Sequence, residues 1–320
     1  MTTQYLRKCS IVIADASGTG IDLSDLRCVF TIRRGDFQTP NSCDLRVYNL
    51  ADGTAHQVCG SEFTQVVIQA GYEGNYGQVF KGTIRQRRLG REDAVNSYVD
   101  ITAADGDAAY NFATISHSLA SATPGTVAAA LLSAMQRFGI TQGYQPAFSQ
   151  NGSVRGRVYY GSVKEELRDF ANANDCVWSI QDGALTFIPK TAYVAGDAPI
   201  ISPSSGLIDT PEQTQNGINM RVLLNPSIKI GQAVKLDATV NLYRFGLDVQ
   251  SQRQNANLAP LNKTNADGLY YVMVAEHQGD TRGTPWYTDL TCLSIDATAP
   301  SLDQTNALVA TDVPTAIGRN

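Results

Sequence analysis

The chain has 320 residues, of which 43% are hydrophobic and 17% are charged, as in ordinary globular proteins. This length allows two or three domains with sizeable cores. A net charge of −5 disfavours a surface built to grip nucleic acid, which needs clustered Lys and Arg to displace counterions. No apolar run is long enough to predict a transmembrane helix. The start, MTTQYLRKCSIVIADASG, lacks the apolar stretch of a signal peptide.

Residues 1–111 are predicted to form a first β domain. Short apolar stretches, several of them alternating, are separated by turn signals such as Thr39-Pro40-Asn41-Ser42 and Gly71-Tyr72-Glu73-Gly74. The predicted strands are Ser10–Ala14, Cys28–Ile32, Cys43–Leu50, Val66–Ala70, Val79–Ile84 and Val99–Ala103. Many short strands separated by turns are typical of a sandwich or a barrel.

Residues 112–199 change to a helical period and are predicted to form a smaller α+β domain. The first helix has Thr123 as its N-cap and Pro124 at its first position, and Gly139 ends it. Its predicted core face consists of Val127, Leu131, Met135 and Phe138.

A second helix and a hairpin follow in the same region. Ser162 and Glu165 have the spacing of a capping box, and Leu167, Phe170 and Ala171 are the expected buried face. The turn Asp182-Gly183, between Val177–Ile180 and Ala184–Ile188, predicts a tight β-hairpin.

Residues 200–300 return to a β pattern and are predicted to form a second β domain. Ile218, Met220, Val222 and Leu224 alternate, which predicts a strand with one buried face that stops at Asn225-Pro226. Two further alternating runs are Ile228/Ile230 and Val234/Leu236, with Lys229 and Lys235 on the opposite face. Residues 242–267 are predicted to be a loop excursion, and residues 301–320 a tail without a reliable pattern. Tyr270–Ala275 and Thr288–Ile295 are predicted strands, joined through His277–Gly283.

The sequence offers little support for catalysis, and we expect no enzyme, no cofactor site and no metal site. His56, His117 and His277 lie in three different segments, without a nucleophile motif such as GxSxG. The six cysteines stand singly, whereas zinc ligands come in close pairs, and we expect them to be reduced and mostly buried. They are Cys9, Cys28, Cys43, Cys59, Cys176 and Cys292.

Other polar motifs have structural explanations. Gly18-Thr19-Gly20 lacks the third glycine of a dinucleotide motif, so we interpret it as a hairpin turn. Glu165-Glu166 lies in the first turn of a helix, where the helix dipole favours carboxylates. The basic cluster Arg85–Arg88 with Arg91 is interpreted as a solvated strand end, and Gly279–Gly283 as a polar turn with an Asp–Arg contact.

Four passages together resemble the baseplate hub proteins of tailed bacteriophages, especially the smaller hubs of contractile tails. Shared features are a Pro-Asn turn before a strand ending in Asn-Leu, Gly-Tyr followed by Phe-x-Gly, a Leu-Leu-Asn-Pro corner and a His-x-Gly-Asp stretch. The passages are LRCVFTIRRGDFQTPNSCDLRVYNL (26–50), AGYEGNYGQVFKGTI (70–84), GLIDTPEQTQNGINMRVLLNPSIKIGQAVKLD (206–237) and YYVMVAEHQGDTRGTPWYTDLTCL (270–293).

This resemblance implies a mainly β chain, with two tail-tube-like β-barrel domains flanking the α+β middle domain. It further implies a homotrimer in the virion tail baseplate, assembled in the host bacterial cytoplasm. Such a ring joins the sixfold tail tube to the threefold central spike and surrounds DNA without binding it specifically. Tape measure and wedge proteins are further candidate partners.

The rival hypothesis is a carbohydrate- or receptor-binding module at the tail tip. Tyr72, Tyr76, Trp286 and Tyr287 could stack on sugars, although aromatic residues in such turns more often serve local packing.

Overall fold

The computed structural model describes residues 6–15, 17–149, 151–152, 156–213, 217–237, 240, 244–245 and 268–295. The predicted tail at 301–320 lies outside the described residues, as does the excursion at 242–267 apart from two residues. Among the described residues, no helix has the length and apolar character needed to cross a membrane.

The described chain is mainly β with few helices, as predicted. Its N-terminal part contains strands β1 Arg7–Ala14, β2 Gly20–Asp22, β3 Cys28–Gly35, β4 Ser42–Tyr48, β5 Gln65–Tyr72, β6 Asn75–Arg91 and β7 Ser97–Ala104, with helix α1 Asp52–Cys59. The middle part contains α2 Asp107–Phe112, β8 Thr114–Leu119, α3 Pro124–Gln136, β9 Thr141–Gln142, β10 Arg157–Ser162, α4 Val163–Ala173, β11 Cys176–Gln181 and β12 Ala184–Pro189. The C-terminal part contains β13 Ile200–Ile201, a 3₁₀ turn Pro203–Ser205, β14 Glu212–Gln213, β15 Gly217–Leu223, β16 Ala233–Leu236, β17 Arg244–Phe245, β18 Leu269–Asp280 and β19 Trp286–Ser294.

One continuous sheet contains the strands of both β regions. Its order is β17-β14-β15-β19-β18-β3-β4-β7-β6-β5-β1-β2, with β16 paired to β18 and β13 paired to β16. The path is open, and no set of described strands closes into a barrel. The two regions meet because the second half of β18, Val274–Asp280, pairs antiparallel with Val29–Gly35 in β3.

The hydrophobic cores follow the three parts of the chain, with two exceptions. Separate clusters fill the N-terminal β region, the α+β middle region and the C-terminal β region, and a fourth, small cluster joins Ile188 of the middle region to the C-terminal region. Leu224 and Trp286, however, come from the C-terminal β region and are buried in the core of the N-terminal one. The prediction that Leu224 is buried is thus confirmed, but this residue follows β15 and adds to the core of the neighbouring region.

The predicted caps of the middle helices have different outcomes. Thr123 caps α3, because its Oγ1 accepts a hydrogen bond from the Thr126 N–H at 3.2 Å. Phe138 was predicted to be buried but is 40% exposed, because α3 ends at Gln136. Ser162 precedes α4 but makes no capping hydrogen bond with its side chain, and this residue is also the last residue of β10.

The hairpin prediction is confirmed. Strands β11 and β12 pair around Asp182 and Gly183, whose φ values of 54° and 76° are those of a tight two-residue turn.

Two predictions for the C-terminal region need correction. Ile228 and Ile230 are buried as expected, but they belong to consecutive turns and not to a strand. His277–Asp280 was predicted to be part of a connection, yet these residues continue β18 as far as Asp280. The extension arises because their backbone finds a second partner in β3, and an additional paired strand satisfies both sides of the backbone.

Candidate functional site

The two β regions contain the same five-stranded unit. In the first unit, β3, β4, β5, β6 and β7 follow in chain order and are arranged in the sheet as β3-β4-β7-β6-β5. In the second unit, β14, β15, β16, β18 and β19 are arranged as β14-β15-β19-β18-β16. All eight pairings within the two units are antiparallel. The second unit therefore repeats the topology of the first, strand for strand.

A polar group on the exposed face marks the first unit. Arg46 on β4 donates from Nε and Nη2 to the two carboxylate oxygens of Asp100 on β7, at 2.7 and 2.9 Å. The guanidinium carbon of Arg46 lies 4.0 Å from the centre of the Tyr98 ring. This bidentate geometry, together with the aromatic face, holds the arginine in one orientation.

The second unit carries the same group at the equivalent positions. Arg221 on β15 donates to both carboxylate oxygens of Asp289 on β19, at 2.6 and 3.1 Å. Its guanidinium carbon lies 4.2 Å from the centre of the Tyr287 ring. In both units the carboxylate hydrogen bonds raise the pKa of the arginine above its ordinary value.

The backbone irregularities repeat as well. The pairing of β6 with β7 shifts between Ile84 and Gln86, next to Thr102. The pairing of β18 with β19 shifts between Val272 and Val274, next to Thr291. Thr102 and Thr291 each lie two residues after the aspartate of the repeated polar group, so the bulge occupies the same place in both units. Bulges are specific features of a sheet that are kept within protein families. Their matching positions support the structural equivalence of the two units.

The junction between the units is formed by strand pairing, by ion pairs and by one aromatic anchor. Arg33 on β3 lies 3.8 Å from the Glu276 carboxylate on β18, and Arg27 donates to Asp280 at 2.9 Å. Trp286 is 2% exposed and packs edge-on against Phe30, with ring centres 5.6 Å apart. The Asp–Arg contact predicted for the polar turn at 279–283 thus exists, but its arginine is Arg27 from the first unit.

The middle region is tied to both units by a polar cluster at the hairpin turn. Arg34, whose side chain is 4% exposed, donates to Asp182 at 2.8 Å, and Lys229 lies 3.8 Å from the same carboxylate. Gln78 also donates to Asp182, at 3.3 Å. Burial alone would raise the pKa of Asp182. The positive charges of Arg34 and Lys229 lower it by more, so the pKa of this carboxyl lies below its usual value.

Two buried titratable groups, Asp105 and His277, lie near this cluster. Burial and the charge of Asp182 raise the pKa of Asp105 to about 7, although Asp105 accepts a hydrogen bond from the Gly183 N–H at 2.9 Å. Burial, with Arg34 and Lys229 nearby, lowers the pKa of His277 to about 3. His277 is therefore neutral at pH 7, and its Nδ1 lies 2.8 Å from the Thr288 hydroxyl.

The other histidines and the cysteines are scattered. His56 lies exposed on α1 and His117 exposed on β8. All six cysteines, which belong to the described residues, are free. In the part of the chain that the structure describes, no three His, Cys, Asp or Glu side chains form a group that could hold a metal ion.

The aromatic residues considered for sugar stacking do not form one exposed platform. Trp286 and Tyr72 are buried, and the Tyr72 hydroxyl lies 3.4 Å from the Trp286 carbonyl oxygen. Tyr287 lies under Arg221, and Tyr76 is 40% exposed. Two of the four rings thus serve the junction of the units.

The basic cluster lies in the second half of β6, as its interpretation as a strand end requires. Arg85 forms an ion pair with Asp107 at 3.0 Å, and Arg87 donates to the Phe63 carbonyl oxygen. Sequence reasoning missed the repeated Arg–Asp–Tyr group. Its signal is the similarity of YVDITA (98–103) to YTDLTC (287–292) and of LRVYN (45–49) to MRVLL (220–224).

Comparison with known proteins agrees with this architecture. The family model described as baseplate hub gp41 matches residues 46–243. A 43 kDa tail protein of prophage MuSo2 from Shewanella oneidensis superimposes with a TM-score of 0.58 at 11% identity, covering 91% of this chain and 98% of that chain. A tail protein from Neisseria meningitidis MC58 superimposes with a TM-score of 0.56 at 10% identity, covering 91% of this chain and 97% of that chain.

A third similar structure belongs to a secretion machine. The c3393 protein of Escherichia coli, described as a component of the type VI secretion system with structural similarity to T4 tail proteins gp27 and gp5, has a TM-score of 0.52. It shares 7% identity, with coverage of 90% of this chain and 76% of that chain. No curated protein matches the sequence.

Proposed function

The chain belongs to the baseplate hub gp41 family, and from this premise we propose that three copies form a ring that joins the sixfold tail tube to the threefold central spike. In this proposal the chain is a structural component of the virion tail without a catalytic step. It assembles in the host cytoplasm and surrounds part of the channel through which DNA leaves. Its direct partners are the tube protein above and the spike protein below.

The internal repeat is the observation that carries this proposal. A ring that contacts six tube subunits must present six similar surfaces, whereas a threefold spike needs three. Two equivalent β units in each of three chains satisfy both requirements. The repeated Arg–Asp–Tyr groups show that the equivalence extends to side chains, since Arg46 and Arg221 make the same contacts.

The charge balance supports passage of DNA without binding. Three chains of net charge −5 carry −15 together, and like charge keeps a phosphate backbone from adhering. On the exposed face of the sheet, Arg46 and Arg221 are already neutralised by carboxylates. We therefore expect no retardation of duplex DNA by the assembled ring at physiological salt. A ring lined mainly by uncompensated Lys and Arg would contradict this part of the proposal.

The decisive experiment is a reconstruction of the tail tip by electron microscopy. We expect one ring of three chains, with a mass of three times 34.5 kDa, or 103.5 kDa. The two β units should alternate around the ring with pseudo-sixfold symmetry. Six copies in the ring, or units in unrelated positions, would refute the proposal. Co-purification with the spike and tube proteins, and absence of binding on a glycan array, would separate this function from sugar recognition.

A further inference from the structure

The second half of β6, Gln86–Arg91, has a partner strand on one side only. It pairs with β7 from Ser97 to Thr102. On its other side β5 ends at the pairing of Gln65 with Thr83, and no strand among the described residues continues along this side. We call Gln86–Arg91 the open edge of β6. Leu89 in the middle of this edge is 51% exposed.

The equivalent edge in the second unit is occupied. Arg88 and Glu276 correspond, because they pair with the equivalent aspartates Asp100 and Asp289. By the same alignment Leu89 corresponds to His277. Glu276 and His277 pair with Arg33 and Ile32 of β3. Among the described residues, no strand takes beside β6 the place that β3 has beside β18.

The strand equivalent to β3 in the second unit is β14. Glu212 pairs with Asn219 of β15 just as Thr31 pairs with Asp44 of β4. Within one chain β14 cannot reach the open edge, because six strands of the sheet lie between them. At about 4.8 Å per strand, the seven steps from β14 to β6 span about 34 Å along the sheet. A copy of β14 that fills the open edge therefore comes from a second chain.

We propose that the open edge of β6 in one chain pairs antiparallel with β14 of the next chain, with Leu89 opposite Gln213 and Gly90 opposite Glu212. This inference rests on the ring of the proposed function and specifies the contact that closes it. The contact repeats the pairing of β18 with β3 inside each chain, so that every junction around the ring has the same geometry. Ring closure also removes an exposed strand edge that would otherwise promote aggregation.

The charges are complementary at both junctions, and in the same sense. Inside the chain, basic residues of the first unit (Arg27, Arg33) meet acidic residues of the second unit (Glu276, Asp280). At the proposed contact the first unit is again the basic partner. The open edge carries Arg88 and Arg91, whereas the approach to β14 carries Asp209 and Glu212.

This polarity also selects the correct partner strand. If β3 of another copy docked on the open edge, Arg33 would face Arg88, and like charges directly opposite each other are unfavourable. Glu212 instead lies diagonal to Arg88 on the same face of the sheet, within reach of long side chains. The contact is therefore specific for the second unit of a neighbouring chain.

Docking exchanges one pairing of β14 for another. In the single chain, Glu212 and Gln213 pair in parallel with Arg244 and Phe245 of β17. The proposed contact replaces these two parallel pairs with antiparallel pairing to β6, which is slightly more stable per residue. Residues 244–245 leave the edge of β14 on assembly.

Disulfide trapping in tail particles tests the register. The full-length chain should carry Leu89→Cys and Gln213→Cys, with Cys9 and Cys59 replaced by serine because they are the cysteines that are not fully buried. Gly90 is unsuitable, because a side chain there would collide with the Tyr98 ring. Opposed strand positions have the Cα spacing that a disulfide requires. Mild oxidation should yield covalent dimers and trimers of the hub on a non-reducing gel.

The matched control replaces Gln213→Cys with Lys235→Cys, an exposed position on β16, and should yield no cross-link. A trimeric ring by electron microscopy without a Leu89/Gln213 cross-link would refute this contact and leave the proposed function intact. Cross-linking of position 89 to Phe245→Cys in place of position 213 would also refute it. Particles without a trimeric ring would refute the proposed function, and this contact with it.

A charge exchange tests the partner selection independently. Glu212→Arg should lower the yield of assembled trimer about tenfold, since it places like charges at the contact. Arg88→Glu should have a similar effect, and the double variant should restore assembly. Circular dichroism should show that both single variants are folded. If the double variant then assembles as poorly as the single variants, these residues do not face each other.

Discussion

Leu224→Ala tests whether the two β units share one core. The Leu224 side chain is fully buried and lies in the core of the first unit, although it directly follows β15 of the second. Buried leucine-to-alanine changes cost about 2.7–5 kcal/mol, depending on how far the cavity collapses. For a denaturant slope of about 3 kcal/mol per molar urea, the unfolding midpoint should fall by roughly 1 M.

Tryptophan fluorescence can localise this effect. Trp286 lies at the junction and Trp178 in the core of the middle region, so Trp178→Phe leaves a single reporter beside Leu224. In this background, Leu224→Ala should move the urea transition of Trp286. The control is Leu89→Ala, which removes a half-exposed leucine and should cost less than about 0.5 kcal/mol. A Leu224→Ala shift no larger than that of the control would refute the shared core.

Four further predictions follow from the ionisable groups. The pKa of Asp105 is raised in the folded protein, so its contribution to the free energy of unfolding falls as pH rises from about 4 to 7. Asp105→Asn should therefore be more stable than the wild type by about 2–4 kcal/mol at pH 8. Urea unfolding should show that this difference disappears near pH 4. His277 has a lowered pKa, so its stabilisation is lost as pH falls from about 6.5 towards 3. His277→Gln should accordingly lose about 3 kcal/mol less than the wild type between pH 7 and pH 4 in urea titrations. Asp100→Asn and Asp289→Asn should each cost about 1 kcal/mol, equally for both, because the pairs are similarly half-exposed; unequal thermal shifts would argue against equivalence. Lys235→Asp, on the exposed face of β16, should change the thermal midpoint very little.

Local sequence patterns are sufficient to predict most of the helices and strands of this fold. The alternation in Cys43–Leu50 and Val99–Ala103 predicts strands because a half-buried strand has a period of two. The Asp182-Gly183 turn is predictable because both residues tolerate positive φ. Local patterns fail where a distant partner decides the outcome. His277–Asp280 lies between β19 and β3, and β3 is about 245 residues earlier in the chain.

The repeated unit was hidden by unequal spacing. Arg46 and Tyr98 are 52 residues apart, whereas Arg221 and Tyr287 are 66 apart, so no fixed period runs through the chain. The middle region also separates the two units. Only the paired registers bring the arginine, the aspartate and the bulge of each unit into correspondence. The polar cluster around Arg34 was equally inaccessible, because its members come from three regions of the chain.

The hairpin turn at Asp182 has a mechanical consequence. Its carboxylate is held by Arg34 and Gln78 from the first unit and by Lys229 next to the second. A force that pulled the middle region away from the sheet would separate Arg34 from its carboxylate while the arginine is still shielded from water. Leaving one partner of such a pair buried costs about 3–5 kcal/mol. Tension on the middle region is therefore shared by both units, and the three regions resist it together.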